Sequence, residues 1–272
     1  MLRLRKIDSF DLPELQPYRT MRRQEEQRKA GIFVAEGEKV VRRLIASKLP
    51  LVSVLLPEKW LTELAPMIEA RPETVDVFVA EKSMLETLTG FSMYQGLLAV
   101  GKVPPTITID QMLAQSRPPR LLAAVEGLSS AENLGALVRN CAAFNVAALI
   151  LGETCTSPFL RRAVRSSMGT IFELPIIEPH SIESALTELK WHAFRIVAAH
   201  PHAKNKTLWQ TDFTSDCCIV FGSEGYGISA KILDLCDEAV AVPMPPSVDS
   251  LNVAGAAAVF LCEATRQRAK EK

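Results

Sequence analysis

The 272-residue chain carries 31 Lys and Arg against 31 Asp and Glu, a net charge of +0, and is 48% hydrophobic. That length and apolar content allow two domains of ordinary size with a core in each. No segment approaches the roughly 18–20 consecutive apolar residues of a membrane span, and the N-terminal MLRLRKIDSF lacks the apolar stretch of a secretory signal, so a cytoplasmic globular protein is expected. Charge balance gives no global sign of polyanion binding, although local patches rather than totals set phosphate contacts. The six cysteines (Cys141, Cys155, Cys217, Cys218, Cys236, Cys262) form no C-x-x-C pair and no Cys/His cluster; they are expected to be reduced, and no metal site is expected.

Residues 1–104 read as a small α/β domain. A strand starts at GIFV (31–34), a helix over 36–47 places Val40, Val41, Leu44 and Ile45 on one face, and LVSVLLP, VDVFVA and GLLAVGKV are strand-like. Residues 105–120 read as a linker, with Pro104-Pro105 and Pro118-Pro119 bracketing a short amphipathic helix over 109–116. A second domain, 121–272, alternates LLAAVEGL, VAALILG, IFELPII, FRIVAAH, CCIVFG and AVAVPM as strands with helices over 131–144, 159–168, 182–191 and 253–268. Nearly continuous apolar strands between helices predict a mostly parallel sheet covered on both faces.

Three segments place polar residues where apolar strands end. SSAENLGALVRN (129–140) opens a helix; Ser129 with Glu132 fits a capping box, and Leu134, Leu137, Val138 and Cys141 form the inward stripe. Gly135 in that helix fits either plain packing or close approach of a ligand. FGSEGYGIS (221–229) has three glycines around Glu224, but neither a dinucleotide fingerprint nor a phosphate-loop Lys. The bland alternative is a turn before a helix; as a site, a carboxylate on permissive backbone suits a cationic or hydroxyl-bearing ligand. VPMPPSVDSLNVAGAAA (242–258) presents Ser250 and Asn252 at a helix start, where both residue types also serve as ordinary caps.

Together and in this order, NLGALVRN, FGSEGYGIS and VPMPPSVDSLNV, with VRSSMGTIFELP (164–175) between them, resemble the signature motifs of the SpoU (TrmH-like) RNA ribose methyltransferases of the SPOUT superfamily. The RKAGIFVAEGEKVV segment is similar to the ribosomal-protein-like RNA-binding domain that precedes the catalytic domain in many members. The resemblance implies a trefoil-knotted C-terminal α/β domain, S-adenosylmethionine as cofactor, a homodimer, and methylation of a ribose 2′-hydroxyl in RNA; the separate N-terminal domain favours rRNA. A tRNA 2′-O-methyltransferase of the same family and a catalytically inactive RNA-binding relative are the alternatives. By the same carry-over, Asn133, Arg139, Glu224, Ser250 and Asn252 line the reaction centre. Gly222, Glu224, Gly227, Val242, Pro243, Met244 and Leu251 contact the cofactor. Ser130-Ala131 and Pro246 depart from the family pattern, the last in the cofactor loop. On chemical grounds Arg139 is expected to be a fixed cation positioned by Glu224. Arg161, Arg162 and Arg165 are expected to meet RNA phosphates, as is a second cluster at Arg19, Arg22, Arg23, Arg28 and Lys29.

Overall fold

The computed structural model describes residues 1–89, 96–204 and 206–269. They form two compact units, Met1–Pro104 with Pro158–Phe172, and Pro105–Ser157 with Glu173–Lys272. The first unit has strands β1 (Leu2–Lys6), β2 (Ile32–Glu36), β3 (Leu51–Leu56), β4 (Val75–Val79) and β5 (Leu98–Lys102) in the order β1-β4-β3-β5-β2. β1 and β3 run parallel to β4, whereas β5 is antiparallel to both β3 and β2. Helices α1 (Gln16–Arg19), α2 (Gln24–Ala30), α3 (Glu38–Ala46), α4 (Leu61–Glu69) and α5 (Lys82–Thr89) accompany the sheet. Val40, Val41, Leu44 and Ile45 of α3 are buried, as their spacing predicts. β1 has no counterpart in the sequence reading because four of its five residues are exposed. It is held by its ladder to β4 rather than by a buried face.

Beyond Pro104 the chain forms α6 (Ile109–Gln115), β6 (Leu121–Val125), α7 (Ala131–Ala143), β7 (Ala148–Leu151), α8 (Arg161–Ser166), β8 (Ile176–Ile177), α9 (Ile182–Trp191), β9 (Arg195–Ala199), β10 (Cys217–Phe221), α10 (Ala230–Leu235), β11 (Glu238–Val240) and α11 (Val253–Ala269). Apart from α8 these build the second unit, a six-stranded, wholly parallel sheet in the order β11-β9-β10-β6-β7-β8. Alternate residues sort the strands' two faces. Leu122, Ala124, Ile150, Ile196, Cys218 and Val220 pack with α6, α9 and α10, while Phe221 meets Phe260 of α11 edge-on at 6.0 Å. Helices therefore cover both faces. The stretch read as a linker is part of this core, since Ile109 and Met112 of α6 are buried in it; its amphipathic period already carried that information.

Residues 158–172, read from sequence as part of the second domain, belong to the first unit. Phe159 and Phe172 lie 5.2 and 5.5 Å from the Phe33 ring, and Arg43 donates to the Met168 carbonyl at 2.7 Å. The helix is shorter than predicted because Met168 and Gly169 both adopt positive φ, 55° and 82°. Residues 170–172 then turn as a 3-10 helix. The expected strand over 171–177 shrinks to Ile176–Ile177, just after Pro175, which has no N–H to give a ladder.

In the first unit, Arg71 ties the end of α3 to the start of β3. Its guanidinium donates to the carbonyls of Ile45 (2.7 Å), Ser47 (2.6 Å) and Leu49 (2.6 Å), and to Glu73 at 2.6 Å. Burial pushes the Glu73 carboxyl up, but the Arg71 and Leu51 N–H donors outweigh it and hold it at about 2. With the unfolded value near ~4.3, this contribution is complete above that pH and is lost as pH falls toward 2. Arg71→Ala should cost about 3 kcal/mol at neutral pH. The gap to wild type in urea midpoint should narrow in acid; a gap independent of pH would contradict the ion-pair component.

Candidate active site

Strands β9, β10 and β11 end together, and the loops that follow them line one cavity of about 390 Å³. This is where ligands sit in open parallel sheets, beyond the carboxyl ends of the strands. Apolar walls come from Phe221, Ile228, Val240, Met244, Leu251 and Phe260, and the titratable side chains on the lining include the carboxylates Glu224 and Asp249 and the imidazoles His200 and His202, with no Lys or Arg among them. Such a surface suits a nucleoside-sized, cationic ligand and repels a polyphosphate.

The loop after β10 closes on itself. Ser223 and Gly227 exchange both backbone hydrogen bonds at 3.0 Å, the Tyr226 N–H donates to Ser223 Oγ at 3.1 Å, and Gly227 takes a φ of 68°. A Cβ on Gly222 would lie 2.1 Å from the Gly227 carbonyl carbon, so only glycine fits there. The far end of the loop is fastened where the Ser229 N–H donates to Glu126 Oε2 at 2.8 Å.

Glu224, at the loop's tip, is the meeting point of three chain segments. Its Oε1 accepts from Asn252 Nδ2 at 3.1 Å and from Asn133 Nδ2, and Asn252 Nδ2 also reaches Asn133 Oδ1 at 3.3 Å. Asn252 has a second task, because its Oδ1 accepts from the Ala254 N–H at 3.0 Å and caps α11. Two turns further along α7, Asn140 Nδ2 donates to the Ala254 carbonyl at 2.6 Å. The seven-residue spacing of Asn133 and Asn140 therefore aims both amides of α7 at the start of α11. α7 is capped by Ser130, whose Oγ accepts from the Asn133 N–H at 3.3 Å, rather than by Ser129 with Glu132. The helix begins one residue later than the expected box requires.

A model of the SpoU rRNA Methylase family matches residues 120–262. The chain belongs to this family. An uncharacterised tRNA/rRNA methyltransferase of Mycobacterium bovis is 32% identical over 87% of the chain and 81% of that protein. A 23S rRNA (guanosine-2'-O-)-methyltransferase, RlmB, of Acinetobacter baylyi is 30% identical over 73% of the chain and 82% of its own length. Among solved structures, an RNA 2'-O ribose methyltransferase superposes with a TM-score of 0.80 at 26% identity, covering 97% of this chain and all of that one.

Of the residues singled out by the SpoU motifs, Gly222, Glu224, Gly227, Val242, Met244, Ser250, Leu251 and Asn252 line the cavity, and Asn133 is bonded to two of them. Pro243 is exposed and outside the lining. Arg139 is exposed on α7, outside the lining, and Glu224 is bonded to the two asparagines instead of to it. Gly135 is buried and outside the cavity lining, which favours the packing alternative. Pro246 sits at the second position of a turn closed by Val248 N–H to Pro245 O at 3.0 Å, where a fixed φ is favourable and no N–H is needed. Arg161 is 14% exposed and paired with Glu36, itself 7% exposed, while Arg165, 58% exposed, reaches the same carboxylate at 3.3 Å; Arg162 is exposed.

His200, Pro201 and His202, after β9, line the cavity but were not singled out from sequence. The rule that found the other two loops, an apolar strand breaking into a polar turn, also applies to FRIVAAHPH. Gly222→Ala should open the Ser223–Gly227 pair. Hydrogen exchange at those two amides should quicken roughly thirtyfold, as expected for two lost bonds of ~1 kcal/mol each, with β10 still protected; unchanged exchange would contradict the closed loop.

Proposed function

We propose that this protein transfers a methyl group from S-adenosylmethionine to a ribose 2′-hydroxyl of RNA, in rRNA rather than tRNA. The observation that carries this reading is the Glu224–Asn133–Asn252 network beside a cavity without Lys or Arg. A pocket of that character accepts a sulfonium cation and an apolar-faced nucleoside, and has no Lys or Arg to pair with the phosphates of ATP or NAD. Family membership supports methyl transfer to RNA, and the 30% identity to a 23S rRNA 2'-O enzyme favours rRNA.

Bound at the cavity, S-adenosylmethionine supplies an electrophilic methyl group on sulfur. The chain's own residues are left to position the hydroxyl and to receive its proton as the carbon–sulfur bond breaks and the carbon–oxygen bond forms. Two amide donors fix Glu224 through Oε1, so Oε2 serves as acceptor for the hydroxyl hydrogen. Ser250, also on the lining, orients the ribose. Gly222, Gly227, Val242, Met244 and Leu251 contact the cofactor, with Pro243 shaping the loop from outside. Arg139 is a fixed cation, since a guanidinium stays protonated at neutral pH; its exposure suits a substrate phosphate. On the first unit, Arg162 and Arg165 are exposed and offer phosphate contacts of their own, while Arg161 is paired with Glu36, which Arg165 also reaches.

The wider architecture belongs to the same reading: a trefoil knot formed by the segments around β9, β10 and β11, a homodimer, and action in the cytoplasm. Its support is the order β11-β9-β10-β6, in which the three loops that line the cavity follow three adjacent strands. Among the described residues no helix is long and apolar enough to cross a membrane.

Unmodified rRNA and tRNA incubated with methyl-labelled S-adenosylmethionine test the proposal, with the product nucleotide mapped. Labelling of a 2′-oxygen in rRNA is expected, and labelling confined to tRNA would replace the substrate. Glu224→Ala or Asn252→Ala should lower kcat by about 100-fold or more. Arg139→Ala should abolish turnover while cofactor affinity stays within about threefold, as fits loss of one anchoring cation; normal turnover would remove Arg139 from the mechanism.

A further inference from the structure

Tyr226 is 97% exposed, yet it is not on slack backbone. It stands at the tip of the loop closed by the Ser223–Gly227 pair, its own N–H is held by Ser223 Oγ, and the loop's exit is anchored on Glu126. Ile228, two residues on, is buried in the core of the unit. The ring is therefore presented by a rigid support on the wall of the cavity. No hydrogen bond or ring contact joins its side chain to another described residue. A fully exposed aromatic contributes no burial to the fold, and this one, unlike the exposed Trp191 and Trp209, stands on the lining of the cavity, where its ring face is open to a ligand.

The surroundings narrow what that is. The lining carries the carboxylates Glu224 and Asp249 and the imidazoles His200 and His202 but no Lys or Arg, a poor setting for a phosphate. The purine of a cofactor already has apolar surface inside the cavity at Phe221, Ile228, Val240 and Phe260, and a ring this exposed lies outside that shelter. An unpaired nucleobase fits: single-stranded RNA is recognised by splaying bases onto aromatic faces, and a tyrosine on a rigid loop supplies that face with little entropy to lose. We propose that Tyr226 is the stacking platform for the base of the nucleotide whose ribose is presented to Glu224 and Asn252. This rests on the RNA methyl-transfer reading above. It adds that the substrate nucleotide is unpaired and is gripped through its base at the cavity rim.

The test uses 23S rRNA transcribed in vitro, methyl-labelled S-adenosylmethionine, and wild type beside Tyr226→Ala and Tyr226→Phe. Tyr226→Ala should raise the KM for RNA about tenfold or more, the loss expected for one stacked base. Tyr226→Phe, which keeps the stacking face, should stay within about twofold of wild type. Calorimetric affinity for S-adenosylmethionine and the sedimentation coefficient should be the same in all three. An unchanged KM in Tyr226→Ala would overturn the inference; so would an equal loss of cofactor affinity, which would assign the ring to the cofactor, or an altered oligomeric state, which would assign it to a subunit contact. A wild-type protein that methylates neither rRNA nor tRNA would overturn the substrate reading, and the inference with it. An active wild type with a wild-type-like Tyr226→Ala overturns the inference alone.

Discussion

One carboxylate oxygen organises the site. Glu224 Oε1 accepts from Asn133 at the start of α7 and from Asn252 at the start of α11, so segments more than ninety residues apart in sequence are fixed to a single atom. Each amide is itself constrained. Asn133 lies in the first turn of α7, its N–H held by the Ser130 cap, and Asn252 caps α11 through Oδ1 while its Nδ2 serves Glu224. The side chains cannot adjust independently, and a network of this kind gives a site its geometry more than it gives the fold stability.

That geometry depends on the loop carrying Glu224 having no freedom of its own. Gly222 leaves room for the Gly227 backbone, the Ser223–Gly227 pair closes the loop, and Glu126 holds its exit. Behind it lies a wholly parallel sheet whose buried strands end at one level. A rigid support beneath short functional loops is the usual division of labour in α/β domains. Here it places a cavity with Glu224 and Asp249 but no Lys or Arg on its lining beside the acceptor network, a combination that suits a sulfonium-bearing cofactor.

The sequence made much of this legible, and where it failed the reasons are physical. Buried parallel strands read as nearly continuous apolar runs, which is why CCIVF and LLAAV stand out, and α9 and α11 announce themselves by period. β1 was silent because an exposed edge strand has no buried face to mark it. The stretch 158–172 misled because its apolar residues are satisfied by Phe33 rather than by the sheet of the segments flanking it in sequence. At the site, residue types and strand ends pointed to Glu224, Ser250 and Asn252, but pairing could not be read. Residue types alone pair Glu224 with Arg139, whereas two asparagine amides hold it. Proximity between α7 and the β10 loop is a tertiary fact that no local spacing encodes.

Hydrogen exchange of the whole protein with and without S-adenosylmethionine tests most directly whether the loops after β9, β10 and β11 form the cofactor site. Slowed exchange confined to the segments around 199–202, 221–229 and 242–253 is expected. Protection elsewhere, or none at saturating cofactor with binding confirmed by calorimetry, would contradict it.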